Sequence, residues 1–419
     1  MSTRYLVVGG GMTGDAAVKA IRRADPEGQV TLVSQEPQAP YKRPPLSKGL
    51  WKGESADRVG LGTDATGAKL ILGRRAVSLG LEGASVRLDD DSVVPYDYLL
   101  LATGARARTL PPLVGLAGVV PYRTWEDYEH VRERAREGAH VAVIGGGFIG
   151  SEMAAALRSN GAAVTMVFPE PSIGGGRFPV SIATLVDADY AARGVTVRAG
   201  RAVQSARQDG SGVVLELDDG AEVAADLVIV GVGAVPNQEL AQEAGLRTDN
   251  GILVDASLRA ANGEGSLDNV FAAGDVASFE WPALGRRLRI EHEDNAYGMG
   301  AAAGRYMAAA ASAGGTASTA GQTQGGAASS GPYAHLPFFY SDLFDNGYEA
   351  VGLLDPRLEV VEDWRVPGKE GVVYYLEDGL VRGVLLWNTW GQVDAARDLI
   401  EAQQRLSQAD LMGRLPTDD

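Results

Sequence analysis

The sequence predicts an α/β fold in which one unit is used twice and a smaller α+β domain follows, and three observations carry that reading. Residues 4–8 form an apolar strand run, Gly9-Gly10-Gly11 interrupt it, residues 12–23 have helical spacing and residues 30–33 return to strand. The same order recurs as strand 141–144, a second glycine loop, helix 149–159 and strand 164–168. Beyond residue 331 aromatics and β-runs resume: residues 372–376 and 380–387 flank an Asp378-Gly379 turn, and residues 392–406 read as an amphipathic helix. A strand, glycine loop, helix and strand in succession are the core of a dinucleotide-binding βαβ element. The expectation is therefore two Rossmann-like dinucleotide-binding domains and a small α+β C-terminal domain.

Between the two units, residues 98–102 form an apolar strand that runs into Thr103-Gly104. Strand-like runs around residues 215–222 flank Asp218-Asp219-Gly220, a hairpin signal. Residues 226–232 are a further buried strand, closed by Gly233, and residues 269–273 another, ending in Gly274-Asp275. Residues 296–311 read as a helix of small side chains. Residues 312–331 are almost wholly Gly, Ala, Ser, Thr and Gln, with nothing large to bury, so they read as a mobile linker or surface insertion.

The bulk composition excludes several functions. Hydrophobic residues make up 45% and charged residues 22%, a soluble globular balance. No apolar run approaches the roughly 18 to 20 residues needed to cross a bilayer. No secretory signal is read at the start, and the expected compartment is the cytoplasm. A net charge of −16 without a Lys/Arg-rich run disfavours nucleic acid. The chain has no cysteine, so a redox dithiol, a peroxidatic thiol, iron–sulfur ligation and thiolate metal sites are all excluded. His130, His140, His292 and His335 are too scattered to predict a metal.

Gly9, Gly11 and Gly14 have G-x-G-x-x-G spacing directly after a strand and at a helix start. Glycines there let the backbone turn tightly and approach a pyrophosphate, which sits on the unpaired N–H groups of the helix. Glu36, 22 positions after Gly14, is placed to take ribose hydroxyls. Gly145, Gly147 and Gly150 repeat the spacing, and Glu170 follows 20 positions after Gly150. A carboxylate there accepts hydrogen bonds from the adenosine ribose and repels a 2′-phosphate, which favours NADH over NADPH. Arg177, close in sequence, works against that preference. Asp275, at a strand end after two dinucleotide units, suits the ribityl chain of an FAD in an extended pose.

Tyr41-Lys42-Arg43-Pro44-Pro45-Leu46-Ser47-Lys48-Gly49-Leu50-Trp51 resembles the signature of the ferredoxin reductases of oxygenase electron chains and of the apoptosis-inducing factor family. Phe168-Pro169-Glu170, the stretch from Arg286-Arg287 to His292, and Tyr340-Ser341-Asp342-Leu343 with Gly347-Tyr348-Glu349 carry the resemblance onward. Gly383-Val384-Leu385-Leu386-Trp387-Asn388 extends it to nearly the whole chain, and the C-terminal matches lean toward the apoptosis-inducing-factor branch. The resemblance implies an FAD domain at 1–118 and 251–311, split by an NAD(H) domain at 119–250. The insertion at 312–331 and a C-terminal domain at 332–419 follow.

It also implies roles. Lys48 lies near the flavin N5 and pairs with Glu152; spacing alone would make these two a surface pair. Phe148 covers the flavin until nicotinamide displaces it, or else is a core residue of the helix start. Glu291 and His292 contact nicotinamide or flavin, or are exposed polar residues before a helix. Arg43 bonds the pyrophosphate or ribityl region, and Thr103, Gly104, Ile149, Gly233 and Tyr340 complete the cofactor set. Tyr340 stands where relatives have tryptophan, and Gln35 where an acid is common, leaving Glu36 alone on the adenosine ribose.

The implied activity is hydride transfer from NADH to flavin N5, then electron delivery to an acceptor such as a ferredoxin. The alternative is an apoptosis-inducing-factor-like protein. It would oxidise NADH slowly, and a reduced flavin–NAD charge-transfer complex would control dimerisation or partner binding. A homodimer is compatible with either. Arg286, Arg287 and Arg289 are the expected local basic patch for an acidic partner.

Overall fold

The computed structural model describes residues 2–314 and 331–415, so the expected insertion at 312–331 lies almost entirely outside the described residues. The chain resolves into two compact units, each assembled from three segments: 1–42, 57–106 and 235–337 in the first, 43–56, 107–234 and 338–419 in the second.

In the first unit the strand Arg4–Val8 pairs in parallel with Gln29–Val33 on one side and Tyr98–Leu101 on the other. Lys69–Ile71 extends the sheet beyond Gln29–Val33. Ser266–Ala272 joins Tyr98–Leu101 in parallel, and Arg259–Ala261 closes that edge antiparallel. The central strand is buried on both faces, as expected of a parallel sheet covered by helices. The helix Met12–Ala24 follows the first strand, one residue longer than the sequence predicts.

The late helix runs from Glu293 to Gly314, starting three residues before the predicted position, with Glu293 and Asp294 in its first turn. Its small residues have a packing reason. A Cβ on Gly300 would lie 2.3 Å from the Thr13 carbonyl oxygen, and one on Gly304 2.6 Å from that of Ala17. The two helices therefore approach to backbone contact, which larger side chains would prevent.

In the second unit five parallel strands stand in the order Val195–Ala199, Ala163–Phe168, His140–Ile144, Leu227–Val230 and Val119–Pro121. The predicted hairpin is present as Gly212–Leu217 and Glu222–Ala225, joined by Val203–Asp209 in a small antiparallel sheet. The C-terminal segment forms a five-stranded antiparallel sheet: Phe338–Leu343, Asn346–Gly352, Leu380–Trp387, Glu370–Glu377 and Glu359–Val366 in spatial order.

The predicted helix over 392–406 is shorter in the structure. It spans Val393–Glu401 and stops because Gln403 takes a positive φ of 47° and Arg405 bridges back to Leu380. A separate short helix, Gln408–Leu411, starts at a Ser407/Asp410 capping box.

Candidate functional site

The first glycine loop has the shape of a phosphate cradle. A Cβ on Gly9 would fall 2.0 Å from the Ala102 carbonyl oxygen, and one on Gly14 2.1 Å from that of Gly9. These two glycines are needed by the protein itself, to let strand and helix meet. Gly11 is different: no protein atom lies within 4 Å of where its Cβ would be. It caps the helix Met12–Ala24 and, having no side chain, makes no cap hydrogen bond to the first turn. Those donors remain for an anion, so the residues present fit a dinucleotide pyrophosphate.

Glu36 lies just past the strand Gln29–Val33 and accepts a 2.5 Å hydrogen bond from the Tyr41 hydroxyl. Thr103 is tied by its hydroxyl to the Asn237 carbonyl at 2.7 Å, and Gly104 follows with φ 65°. Asp275 sits in the short 3-10 turn Gly274–Val276. Its carbonyl accepts from Arg289 Nη1 at 3.1 Å, and the same nitrogen is 2.5 Å from a Glu291 carboxylate oxygen. The fold thus brings Asp275 and Glu291 together through Arg289. The His292 carbonyl accepts the Ala296 N–H that opens the long helix.

This arrangement corrects the expected basic patch. Arg289 is enclosed, its side chain 9% exposed, and Arg287 donates to the carbonyls of Val254 and Ser278. Two of the three arginines are committed inside their own unit.

The second glycine loop repeats the construction. A Cβ on Gly145 would lie 2.3 Å from the Gly231 carbonyl oxygen, and one on Gly150 1.9 Å from that of Gly145. At Gly147 the nearest atom is Arg177 Nη2, 3.5 Å away, and the helix Phe148–Ser159 that it caps has no side-chain cap. Glu170 is exposed beyond the end of the strand Ala163–Phe168. Ile149 is half-buried in the first helical turn, and Gly233, with φ 95°, accepts the Arg108 N–H at 2.9 Å.

Phe148 is held from two directions. The Arg177 guanidinium lies 3.9 Å from its ring centroid, and Phe339 meets it edge-on at 5.4 Å. Arg177, which the sequence sets only against the NADH preference, stacks on this ring.

Glu152 projects from the same helix, one turn in, and is 4% exposed. The Lys48 ammonium stands 2.5 Å from its Oε1, so the pair is enclosed rather than a surface pair. Burying two charges is costly unless hydrogen bonds satisfy the remaining lone pairs. They do so here. Ser341 donates to Oε1 and Ser47 to Oε2, both at 2.6 Å. The Lys48 ammonium also lies 5.2 Å from the Tyr340 ring centroid. Two buried phenols stand nearby, Tyr190 and Tyr348; burial pushes both well above the usual tyrosine range, and each stays neutral. Arg43 donates to the Arg123 carbonyl at 3.1 Å within this unit.

Neither serine was selected by sequence reasoning. Both lie inside matched motifs, but nothing in a serine's spacing shows which carboxylate it will face. Among the described residues no group of three or more His, Cys, Asp or Glu is placed to hold a metal. Among the described residues, too, no helix is long and apolar enough to cross a membrane.

Residues 3–300 match the family described as pyridine nucleotide-disulphide oxidoreductase. The chain belongs to this family. The ferredoxin–NAD(+) reductase component of the anthranilate 1,2-dioxygenase system of Burkholderia cepacia is 34% identical over 409 residues, covering 95% of this chain and 94% of that protein. Apoptosis-inducing factor 1, mitochondrial, of Dictyostelium discoideum is 30% identical over 437 residues, covering 95% and 78%. Among solved structures, the reductase in a covalent putidaredoxin reductase–putidaredoxin complex superposes with a TM-score of 0.86 at 26% identity, covering 97% of this chain and 95% of that one.

The chain is an FAD-dependent NAD(P)H oxidoreductase with the fold of the ferredoxin reductases. The dithiol chemistry in the family's name is not open to it, since it has no cysteine.

Proposed function

We propose that this oxidoreductase takes hydride from NADH and delivers electrons to a small iron–sulfur protein of the ferredoxin type. The observation that carries the reading is the enclosed Lys48–Glu152 pair, whose carboxylate stands on the helix that follows the second glycine loop. The reductase relatives, named for ferredoxin and putidaredoxin, support the choice of acceptor.

Bound FAD supplies the chemistry that couples a two-electron donor to a one-electron acceptor. The residues bind, orient and set charge. The Gly9–Gly14 loop would hold FAD, with Glu36 for the adenosine ribose and Asp275 for the ribityl chain; Arg43, Thr103 and Gly104 would assist. The Gly145–Gly150 loop would take the NADH pyrophosphate and Glu170 its adenosine ribose. Lys48 would supply a fixed positive charge for flavin N5, favouring the more negative reduced form. Glu152 keeps that ammonium in place, and Phe148 and Tyr340 bound the ring space. Glu291 and His292 would contact the nicotinamide or the flavin. We assign the first unit to FAD and the parallel sheet of the second to NADH.

The alternative, an apoptosis-inducing-factor-like binding protein, is favoured by the C-terminal motifs and the Dictyostelium relative. Anaerobic stopped-flow mixing with NADH, followed by an added ferredoxin, separates the two. Fast reduction and rapid reoxidation at constant molecular mass are expected. Slow reduction, a persistent long-wavelength band and a change of mass would reject the acceptor reading.

A further inference from the structure

Three elements of the second unit converge on one carboxylate. Glu152 comes from the helix Phe148–Ser159, Ser47 from the 3-10 turn Pro44–Ser47, and Ser341 from the strand Phe338–Leu343. Ser47 is 5% and Ser341 1% exposed, so neither hydroxyl is a solvated surface group that happens to be near. Ser341 reaches inward because Phe339, Ser341 and Leu343 alternate onto the buried side of the strand.

A carboxylate offers about four acceptor directions. Here Oε1 takes Lys48 and Ser341, and Oε2 takes Ser47. With donors on both oxygens the group can neither swing about its last bond nor exchange one oxygen for the other. An ion pair held by a single contact would let the ammonium wander on its flexible four-carbon stem.

We propose that Ser47 and Ser341 are positioning residues for flavin reduction: their hydroxyls clamp Glu152 so that it presents one fixed oxygen to Lys48 and holds the ammonium at one point. This rests on the placing of Lys48 beside flavin N5 under Proposed function. The serines act through Glu152 and then Lys48. Each removes one hydrogen bond to a charged group when lost, so each alanine variant lowers the limiting rate of reduction about tenfold.

The test is a double-mutant cycle on the flavin-loaded protein. Ser47→Ala and Ser341→Ala are made singly, in wild type and in a Lys48→Met background, and the limiting reduction rate and half-saturating NADH are measured by stopped flow. The visible spectrum of the resting oxidised flavin is recorded alongside. The clamp predicts that each single variant slows reduction with half-saturation unchanged and shifts the flavin spectrum. In the Lys48→Met background neither substitution has any further effect. Ser47→Thr keeps a hydroxyl and retains the rate. Ser341→Cys keeps the volume without the strong donor and behaves like Ser341→Ala even where the alanine leaves a hole. Serine effects that persist at full size without Lys48 would overturn the proposal, as would Ala variants with wild-type rate and spectrum, or a Cys variant that matches wild type. Lys48→Met reducing as fast as wild type would instead remove the Lys48 role itself, a distinguishable failure.

Discussion

Substituting Gly11 and Gly14 with alanine separates what the first loop does for the fold from what it does for the cofactor. Gly14 sits where a Cβ would be 2.1 Å from the Gly9 carbonyl oxygen, a backbone atom that cannot rotate aside. Real contacts of this kind begin near 3 Å, so the helix start must retreat by about 1 Å, at a cost of about 1–3 kcal/mol. Gly11 has φ −89° and ψ −173°, which alanine adopts freely, and nothing within 4 Å of the new methyl. Gly11→Ala should change the stability of the flavin-free protein by less than about 0.5 kcal/mol. It should nevertheless weaken FAD, because the methyl occupies the space in which a pyrophosphate approaches the helix amides. Loss of one hydrogen bond to a charged group raises the dissociation constant about 10- to 100-fold. Urea unfolding of the flavin-free variants and titration of released flavin back into them measure the two quantities separately. A Gly11→Ala protein that binds FAD at wild-type affinity would refute the placement of the pyrophosphate.

Other outcomes follow from the same geometry. Glu170→Ala should narrow the preference for NADH over NADPH about tenfold, the loss of a charge-assisted hydrogen bond and of a repulsion, read from initial rates at low concentration of each. Equal wild-type rates with both would dispose of the ribose argument. Glu349 carries a carboxyl that burial pushes upward, with its Oε2 buried and unbonded. Both states are protonated well below the ordinary glutamate range, near pH 4. As pH rises the unfolded chain ionises first, so wild type loses stability until the folded-state value is passed. Glu349→Gln should lack that decline, and its advantage in urea unfolding should grow from pH 4 to pH 7; a pH-independent difference would contradict this. Asp342→Asn should change stability by less than about 1 kcal/mol, because its partner Lys52 is 58% exposed and the pair is screened by water.

Much of this architecture was legible because it rests on repeating local signals. A strand, a glycine triplet and a helix can be read in order, and both glycine loops lie between a strand and a helix as the spacing predicts. Less legible was anything fixed by distant partners. Residues 43–56 carry a recognisable motif, yet no local property shows that they group with 107–234 rather than with the glycine loop before them. The helix over 392–406 kept its apolar period on paper, but the bridge from Arg405 to Leu380 outweighs continued helix. Arg286, Arg287 and Arg289 look like a surface patch in sequence, because charge alone does not reveal which carbonyls a guanidinium will find. Lys48 and Glu152 were paired through resemblance; their enclosure by Ser47 and Ser341 could be seen only once three separated segments met.

The five passages of the chain from one unit to the other bear on how the protein is made. The sheet of the first unit needs Ser266–Ala272 beside Tyr98–Leu101, with Val270 facing Leu99. A nascent chain therefore exposes the edge of Tyr98–Leu101 while the whole intervening stretch is synthesised. At roughly 5–20 residues per second that interval lasts on the order of 10–30 s. Throughout it, a fully apolar Tyr-Leu-Leu-Leu edge waits unpaired outside the ribosome, the kind of edge that recruits foreign strands. The yield of this protein in a cell should thus depend on holdase chaperones and translation speed over residues 102–265 more than on its final stability.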